Sequence, residues 1–200
     1  YITHFHNMDK PDSLVIITEL MEGDTLHHYL EQHPVRSAAH PLPFLLPIML
    51  QISRGIHVLT QMRIIHRDLK PQNIMVDTSG PVPVVKIIGL NLCYVLGEED
   101  ACHEPECGNR FYRAPERYVR DQDHPHGSEG PDGRPEYDTA ADAFAIGLIF
   151  NQMVKADWVM HHVRSIQDLM QMHQRGNFDT LTNVDTGIEG LAEIINSMVQ

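Results

Sequence analysis

Two long stretches of the chain carry apolar residues at helical spacing. In the first, Leu45, Ile48, Ile52, Ile56 and Leu59 recur at intervals of three and four residues, which predicts an amphipathic helix with one buried face. The second, residues 138–150 (DTAADAFAIGLIF), is apolar on nearly every side and predicts a buried helix. Two shorter apolar faces predict further helices: Val163, Ile166, Leu169 and Met170, and then Ile188, Leu191, Ile194, Ile195 and Met198.

Short apolar runs bounded by turn residues predict strands. Residues 14–18 (LVIIT) are β-branched and apolar, and they lie between a Pro-Asp pair and Gly23. Further short strands are expected at residues 64–65, 74–76 and 84–88. Residues 32–43 contain three prolines, and residues 119–137 are rich in Gly, Pro, Asp and His, so both stretches are expected to be loops.

The most specific motif lies after the first predicted helix. Residues 66–73 read HRDLKPQN, which resembles the catalytic loop of eukaryotic protein kinases. The Lys70-Pro71 pair, two residues after Asp68, is similar to the serine/threonine branch of that family. The alternative is a capped turn in which Asp68 and Asn73 bind only backbone groups.

The resemblance implies a role for each residue of the loop. Phosphoryl transfer requires a hydroxyl held in line with the γ-phosphate and neutralisation of the charge that develops. Asp68 is expected to accept or orient the hydroxyl proton, Lys70 to contact the transferred group, and Asn73 to hold a magnesium ion. His66 is expected to pack as a scaffold residue, and Arg67 to meet a phosphate on the activation segment.

Other segments imply the nucleotide site. Residues 19–30 (ELMEGDTLHHYL) are similar to the kinase hinge and the helix after it, with Thr18 as gatekeeper and Asp24 as the helix cap. Backbone groups of Glu19 and Met21 would then meet the adenine of ATP. The side chains of Thr25, Met75 and Ile88 complete the expected nucleotide contacts, although Met75 could equally be a core residue.

The metal-binding triplet Asp-Phe-Gly of the family is absent after the strand predicted at 84–88. The chain reads Gly89-Leu90-Asn91-Leu92 there. Either Gly89-Leu90-Asn91 replaces the triplet, or Asp-Phe is deleted and Gly89-Leu90 is the Gly-Leu that follows it, which is the preferred alignment. Neither alignment supplies a carboxylate to bridge magnesium and the phosphates, so magnesium binding is doubtful here.

Two motifs after this point extend the resemblance. Residues 108–116 (GNRFYRAPE) are similar to the segment that positions the substrate, and Glu116 would pair with a late arginine. Asp142, in the second long helix, would hydrogen-bond the backbone of the catalytic loop. Residues 89–116 contain no serine or threonine, which leaves Tyr94 and Tyr112 as phosphorylatable hydroxyls. Acidic residues at 98–106 could pair with Arg67 instead of a phosphate.

Composition narrows the partners and the location. The 200 residues are 42% hydrophobic, enough for one domain with a core. A net charge of −12 argues against a nucleic-acid partner, and no apolar run is long enough for a membrane span. Three cysteines, an odd number, are typical of a reducing intracellular compartment, cytoplasmic or nuclear. Cys102, His103 and Cys107 are close in sequence but lack a fourth zinc ligand.

The resemblance covers nearly the whole chain and implies an α+β, protein-kinase-like fold. Residues 1–22 would end the small lobe and form the hinge, and residues 23–200 would form an incomplete large lobe. The chain is therefore expected to be a fragment. The implied function is that of a serine/threonine protein kinase using ATP and magnesium on a protein substrate, with little activity in this chain. The alternative is a pseudokinase that acts as a binding or scaffold module for a protein partner.

Overall fold

The longest element described is helix α2, Leu42–Gln61. The computed structural model describes residues 2–3, 15–16, 19–33, 42–97, 101–102, 107–118, 127–128, 130, 133–155 and 190–199. The apolar face predicted for α2 is confirmed: Leu45, Ile48, Ile52 and Ile56 are buried, and Leu59 is partly buried against the same core. The helix begins three residues before Leu45, inside the predicted loop. Proline lacks only an N–H that is unpaired in the first helical turn anyway, so position 43 can be helical.

A three-stranded antiparallel sheet packs against α2. Strand β3 (Asp24–Thr25) pairs with β5 (Ile74–Asp77), and β5 pairs with β6 (Val84–Ile87). The predicted strands at 74–76 and 84–88 are thus confirmed to within a residue. A Cβ on Gly55 of α2 would lie 2.8 Å from Cδ1 of Ile87, so this glycine allows the close approach of helix and sheet.

Helix α3, Ala140–Lys155, is the buried helix predicted from residues 138–150. All its residues from Phe144 to Met153 are buried, including Gly147. A Cβ on Gly147 would lie 2.6 Å from Cγ2 of Val199 and 2.7 Å from Cβ of Met198. These two residues directly follow helix α4, Leu191–Ser197. The glycine therefore allows the C-terminal end of α4 to pack directly on α3.

The remaining elements are short. Strand β1 (Ile2–Thr3) pairs with β2 (Val15–Ile16), and β4 (Ile64–Ile65) pairs with β7 (Tyr94–Val95); all four pairs of strands are antiparallel. Helix α1, Leu26–Gln32, follows β3 and buries Leu26 and Tyr29. The mixture of helices and small sheets is an α+β fold, as predicted. Within the described residues, no helix combines the length and apolar character needed to cross a bilayer.

Two expectations from the sequence need correction, and others fall on residues that the structure does not describe. The cap of α1 is Thr25 and not Asp24: Oγ1 of Thr25 accepts from N of His28 at 3.2 Å, whereas Oδ1 of Asp24 accepts from N of Thr25. Ile194, assigned to the apolar face of α4, is 54% exposed, while Ile195 is buried. Residue 18 and residues 163–170 lie outside the described part of the chain, and the lobe boundaries stay a prediction.

Candidate active site

The loop of residues 66–73 is hydrogen-bonded to α3 through one buried carboxylate, that of Asp142. Asp142 is 3% exposed, and its two oxygens accept from N of His66 at 2.6 Å and from N of Arg67 at 3.1 Å. These are the hydrogen bonds expected of Asp142. Burial raises the pKa of this carboxyl, and the two N–H donors oppose that rise. The loop bends sharply here, because Arg67 has a left-handed backbone with φ 67°.

His66 links the loop to the end of strand β6. The ring is fully buried; Nε2 lies 2.9 Å from O of Ile88, and Nδ1 lies 3.3 Å from N of Asp68. A backbone N–H can only donate and a carbonyl can only accept. The two contacts therefore fit a neutral imidazole with its proton on Nε2. His66 thus occupies the scaffold position that the sequence assigned to it.

Asp68, Lys70 and Asn73 meet at one point. Oδ2 of Asp68 accepts from Nζ of Lys70 at 2.8 Å and from Nδ2 of Asn73 at 2.9 Å. Nδ2 of Asn73 also donates to the backbone O of Asp68 at 2.7 Å. Oδ1 of Asp68 accepts from the backbone N of Asn109 at 2.8 Å. The carboxylate is therefore held in one orientation by three donors, one of which is the ammonium group of Lys70.

The chain after β6 lies directly on Asn73. N of Ile88 donates to O of Asn73 at 2.9 Å. Gly89 then takes a left-handed φ of 80°, and a Cβ placed on it would lie 2.8 Å from both Cγ and Oδ1 of Asn73. Gly89 itself therefore cannot be replaced by a residue with a side chain while Asn73 keeps its place.

These residues do not fit a magnesium ion. Magnesium in such sites takes one or two carboxylates together with substrate phosphates. The one carboxylate at this point, that of Asp68, already faces the ammonium group of Lys70 at 2.8 Å, and Asn73 offers only a neutral amide. Among the described residues no three His, Cys, Asp or Glu side chains form a metal-binding group; His103 of the suggested zinc site lies outside them. The metal-binding role assigned to Asn73 therefore lacks the companion ligand it needs.

The residues expected to contact the nucleotide gather on the small sheet. Met75 of the central strand β5 stands opposite Thr25 on one side and Lys86 on the other. Glu19 reaches the same sheet through an ion pair with Lys86, Oε2 to Nζ at 2.5 Å; the Glu19 side chain is largely exposed and that of Lys86 is partly buried. No motif in the sequence pointed to Lys86. Thr25 uses its hydroxyl as the helix cap, and its backbone N–H donates to Asp24.

Met21 and Ile88 flank this sheet at its two ends. Met21 is half-buried in the segment before Gly23, and Ile88 is 37% exposed just beyond β6. The exposed apolar surface of Ile88 is compatible with covering a flat ring.

Arg67 contacts neutral groups at the position assigned to a phosphate. Its Nε donates to O of Leu92 at 2.6 Å, and its Nη1 lies 3.5 Å from the hydroxyl of Tyr137. The guanidinium also lies over the ring of Tyr94 at 5.4 Å. The acidic residues proposed as its partners, 98–100, 104 and 106, lie outside the described chain. Of the two candidate tyrosines, Tyr112 is buried and donates its hydroxyl hydrogen to Gln152 at 2.9 Å.

Glu116 is half-buried, and within the described residues its carboxylate forms no ion pair. Burial raises the pKa of this carboxyl above its ordinary value. The late arginine expected to pair with it is not among the residues described. The backbone of Glu116 is fixed instead, because its O accepts from Oγ of Ser128 at 2.6 Å.

Comparisons with known proteins agree with the resemblance. The family model described as "Protein kinase domain" matches residues 1–199. Serine/threonine-protein kinase ATG1a of Arabidopsis thaliana is 30% identical over 156 residues, which cover 76% of this chain and 21% of that protein. Serine/threonine-protein kinase atg1 of Dictyostelium discoideum is 24% identical over 181 residues, 90% of this chain and 24% of that protein.

Similarity extends to a second group of kinases. Cyclin-dependent kinase 14 of Oryctolagus cuniculus is 26% identical over 160 residues, which cover 80% of this chain and 30% of that protein. The chain thus spans less than a third of the length of each of these curated relatives.

Proposed function

The chain belongs to the eukaryotic protein kinase family, among serine/threonine kinases, and on that premise we propose that the complete protein transfers the γ-phosphoryl group of ATP to serine or threonine hydroxyls of a protein substrate. The observation that carries the proposal is the fixed carboxylate of Asp68. Lys70, Asn73 and the backbone N of Asn109 hold it within 2.8 to 2.9 Å.

Each of these residues has a chemical part in the proposed reaction. Asp68, 9% exposed, orients the substrate hydroxyl and receives its proton. Lys70 stabilises negative charge on the transferred phosphoryl group, because an ammonium in a water-poor site acts more strongly than in bulk water. His66 and Asp142 keep the loop in the geometry that the reaction requires. The three-stranded sheet that contains Met75 supplies the surface that faces the adenine.

The proposal also holds that this chain, as sequenced, has little activity. Neutralising the charge on a transferring phosphoryl group is worth several kcal/mol in this family, and a metal ion provides most of it. Gly89 leaves no carboxylate beside Asn73 to hold that ion. Asp68 and Lys70 remain in place, but the largest electrostatic contribution is missing.

A phosphotransfer assay that compares the unaltered chain with four variants tests both parts; the fourth variant is the Asp-Phe insertion that also carries Asp68→Ala. The chain, Asp68→Ala, a chain with Asp-Phe inserted between Ile88 and Gly89, and one with Asn-Phe inserted are compared with radiolabelled ATP and casein. The unaltered chain should match Asp68→Ala within error. The Asp-Phe insertion should exceed the Asn-Phe insertion at least about a hundredfold, the factor that roughly 3 kcal/mol provides.

Two outcomes contradict the proposal. If the Asp-Phe insertion transfers no more phosphate than its own Asp68→Ala version, the site is not a kinase site. If the unaltered chain clearly exceeds Asp68→Ala, its predicted inactivity is wrong. An intracellular location, cytoplasmic or nuclear, belongs to the proposal and is supported by the odd number of cysteines.

A pseudokinase is the second candidate, and the contact of Gly89 with Asn73 favours it. A site without room for a metal-binding carboxylate could still bind a nucleotide without metal and present the large lobe to a protein partner. Thermal unfolding of the chain with ATP, with and without magnesium, distinguishes the candidates. Equal stabilisation by both supports the pseudokinase, since only a ligand that binds the folded state raises its stability. Stabilisation only with magnesium rejects a metal-free pocket.

A further inference from the structure

The guanidinium of Arg67 joins three separate parts of the chain. It extends from the catalytic loop, donates to O of Leu92 at 2.6 Å, and reaches the hydroxyl of Tyr137 at 3.5 Å. Its Nη1 also lies 3.9 Å from Sγ of Cys102. Leu92 and Cys102 belong to the segment after β6, and Tyr137 stands just before α3. The contacts described for this arginine, which the family uses to bind phosphate, are thus with neutral groups.

Tyr137 is fixed by its backbone as well as by its ring. N of Cys102 donates to O of Tyr137 at 2.6 Å, and N of Tyr137 donates to O of Cys102 at 3.2 Å, so the two form an antiparallel bridge. The ring is 4% exposed, and the guanidinium of Arg117 lies 5.0 Å from its centroid. One phenol therefore meets Arg67 at its hydroxyl and Arg117 at its face, an arrangement favoured by the ring quadrupole. Burial raises the pKa of Tyr137 to about 12, so the phenol stays protonated at neutral pH.

Arg117 closes the connection back to the catalytic loop. It is 4% exposed; its Nη1 donates to O of Arg67 at 2.8 Å, and its Nη2 donates to O of Cys107 at 3.0 Å. At the same place Gly108 lies against the loop backbone, since a Cβ on it would overlap O of Arg67. The next residue, Asn109, donates its N–H to Asp68 at 2.8 Å. The contacts of the two arginines thus lead directly to the carboxylate of the proposed reaction.

We propose that Tyr137 is a positioning residue that takes the place of a phosphate: by bridging Arg67 and Arg117 it holds residues 101–102 and 107–117 on the catalytic loop and orients Asp68 without modification of these residues. The composition of residues 89–116 supports this role, because they contain no serine or threonine hydroxyl that could carry a phosphate. Of the tyrosines there, Tyr112 has its hydroxyl buried against Gln152. The inference rests on the proposed function only for what Asp68 does; the anchoring is a property of the folded chain itself.

Hydrogen exchange of the Asn109 amide, read by NMR or by mass spectrometry of overlapping peptides, measures the anchoring directly. Tyr137→Phe removes the hydroxyl and keeps the ring, whereas Tyr137→Leu removes both. Exchange at Asn109 should rise about fivefold in Tyr137→Phe, the factor for one ordinary hydrogen bond, and further in Tyr137→Leu. Exchange of the core amides of α2 should change little in Tyr137→Phe, because a local opening does not require global unfolding.

Tyr112→Phe is the matched control. It also deletes a buried tyrosine hydroxyl in this part of the molecule, but outside the contacts of Arg67, and should leave exchange at Asn109 within twofold of the unaltered chain. Phosphatase treatment of the unaltered chain should change nothing. The proposal is wrong if Asn109 exchanges equally in Tyr137→Leu and the unaltered chain, if Tyr112→Phe has the same effect as Tyr137→Phe, or if phosphatase accelerates exchange.

A kinetic measurement separates this inference from the proposed function. In the Asp-Phe insertion, Tyr137→Phe should lower kcat and leave KM for ATP unchanged, since the nucleotide residues are untouched. If the insertion is inactive while the exchange results hold, the proposed function fails and the anchoring stands. If the insertion is active and Tyr137→Phe lowers neither kcat nor Asn109 protection, the anchoring fails alone.

Discussion

Asp142 should be worth more to this fold than any other single carboxylate near the site. Two backbone N–H groups, those of His66 and Arg67, donate to it at 2.6 and 3.1 Å, and it is 3% exposed. In Asp142→Ala both donors lose their acceptor, that of His66 in a buried place and that of Arg67 in a partly buried one. A buried donor left without a partner costs about 1 to 3 kcal/mol, so the free energy of unfolding should fall by roughly 2 to 6 kcal/mol.

Asp142→Asn should fall between the unaltered chain and Asp142→Ala. The amide oxygen still accepts one N–H, but the NH₂ group faces the second donor. Part of that loss is offset, because burial raises the pKa of the Asp142 carboxyl and the neutral amide avoids burying a charge. The expected loss is therefore about 1 to 3 kcal/mol, the cost of one unsatisfied donor.

Equilibrium unfolding in urea measures these losses, with the slope of the transition checked for constancy. Asp138→Ala is the matched control, because Oδ1 of Asp138 accepts from N of Ala140 at 2.6 Å at the exposed start of the same helix. An exposed cap of this kind costs about 1 kcal/mol. If Asp142→Ala loses no more stability than Asp138→Ala, the argument from buried donors is refuted.

Three other substitutions and reactions test separate features. Burial raises the pKa of the Glu116 carboxyl, so the stability that its protonated form contributes is present below the unfolded pKa and is lost as pH rises through the folded pKa. Glu116→Gln should therefore raise the free energy of unfolding in urea at pH 7 and make no difference below about pH 4. Gly147→Ala should cost about 1 to 3 kcal/mol in the same assay through its clash with Val199, whereas Gly80→Ala, with 3.8 Å of clearance, should be nearly neutral; a neutral Gly147→Ala would contradict the packing. Burial raises the pKa of Cys93 to about 11, so its alkylation by iodoacetamide should be slow at pH 8 and accelerate about tenfold per pH unit towards 10, and rapid labelling at pH 8 would contradict this.

The spacing of apolar residues correctly predicted the elements that have a regular buried face. The intervals from Leu45 to Ile56 placed four residues on one face of α2, and all four are buried. The start of α2 was missed, because the prolines before Leu45 signalled a loop although the first helical turn tolerates them. Likewise Asp24 and Thr25 are both good caps by type, and Thr25 serves because the helix begins at Leu26.

The part of the candidate site that lies in one continuous motif was predicted from the sequence. Asp68, Lys70 and Asn73 lie within six residues and meet as expected, although their roles stay proposals. Tyr137 and Arg117 gave no signal, since Tyr137 is 70 residues from Arg67 in a stretch whose composition indicated only a loop. Contacts of this kind depend on where the tertiary fold brings distant segments, and no local period or spacing encodes them.

The left-handed backbone of Arg67 makes two distant positions interdependent in mutation. Glycine would adopt a φ of 67° at roughly 1 kcal/mol less cost than arginine, so the main chain alone disfavours the side chain found there. The contacts of the guanidinium with Leu92 and Tyr137 offset that cost. Positions 67 and 137 should therefore show epistasis: with tyrosine at 137 glycine at 67 is harmful, and once the tyrosine is gone the same change is less harmful, because the contact with Leu92 still remains. A pairwise mutational library selected for folding would show this sign of coupling, which neither position reveals alone.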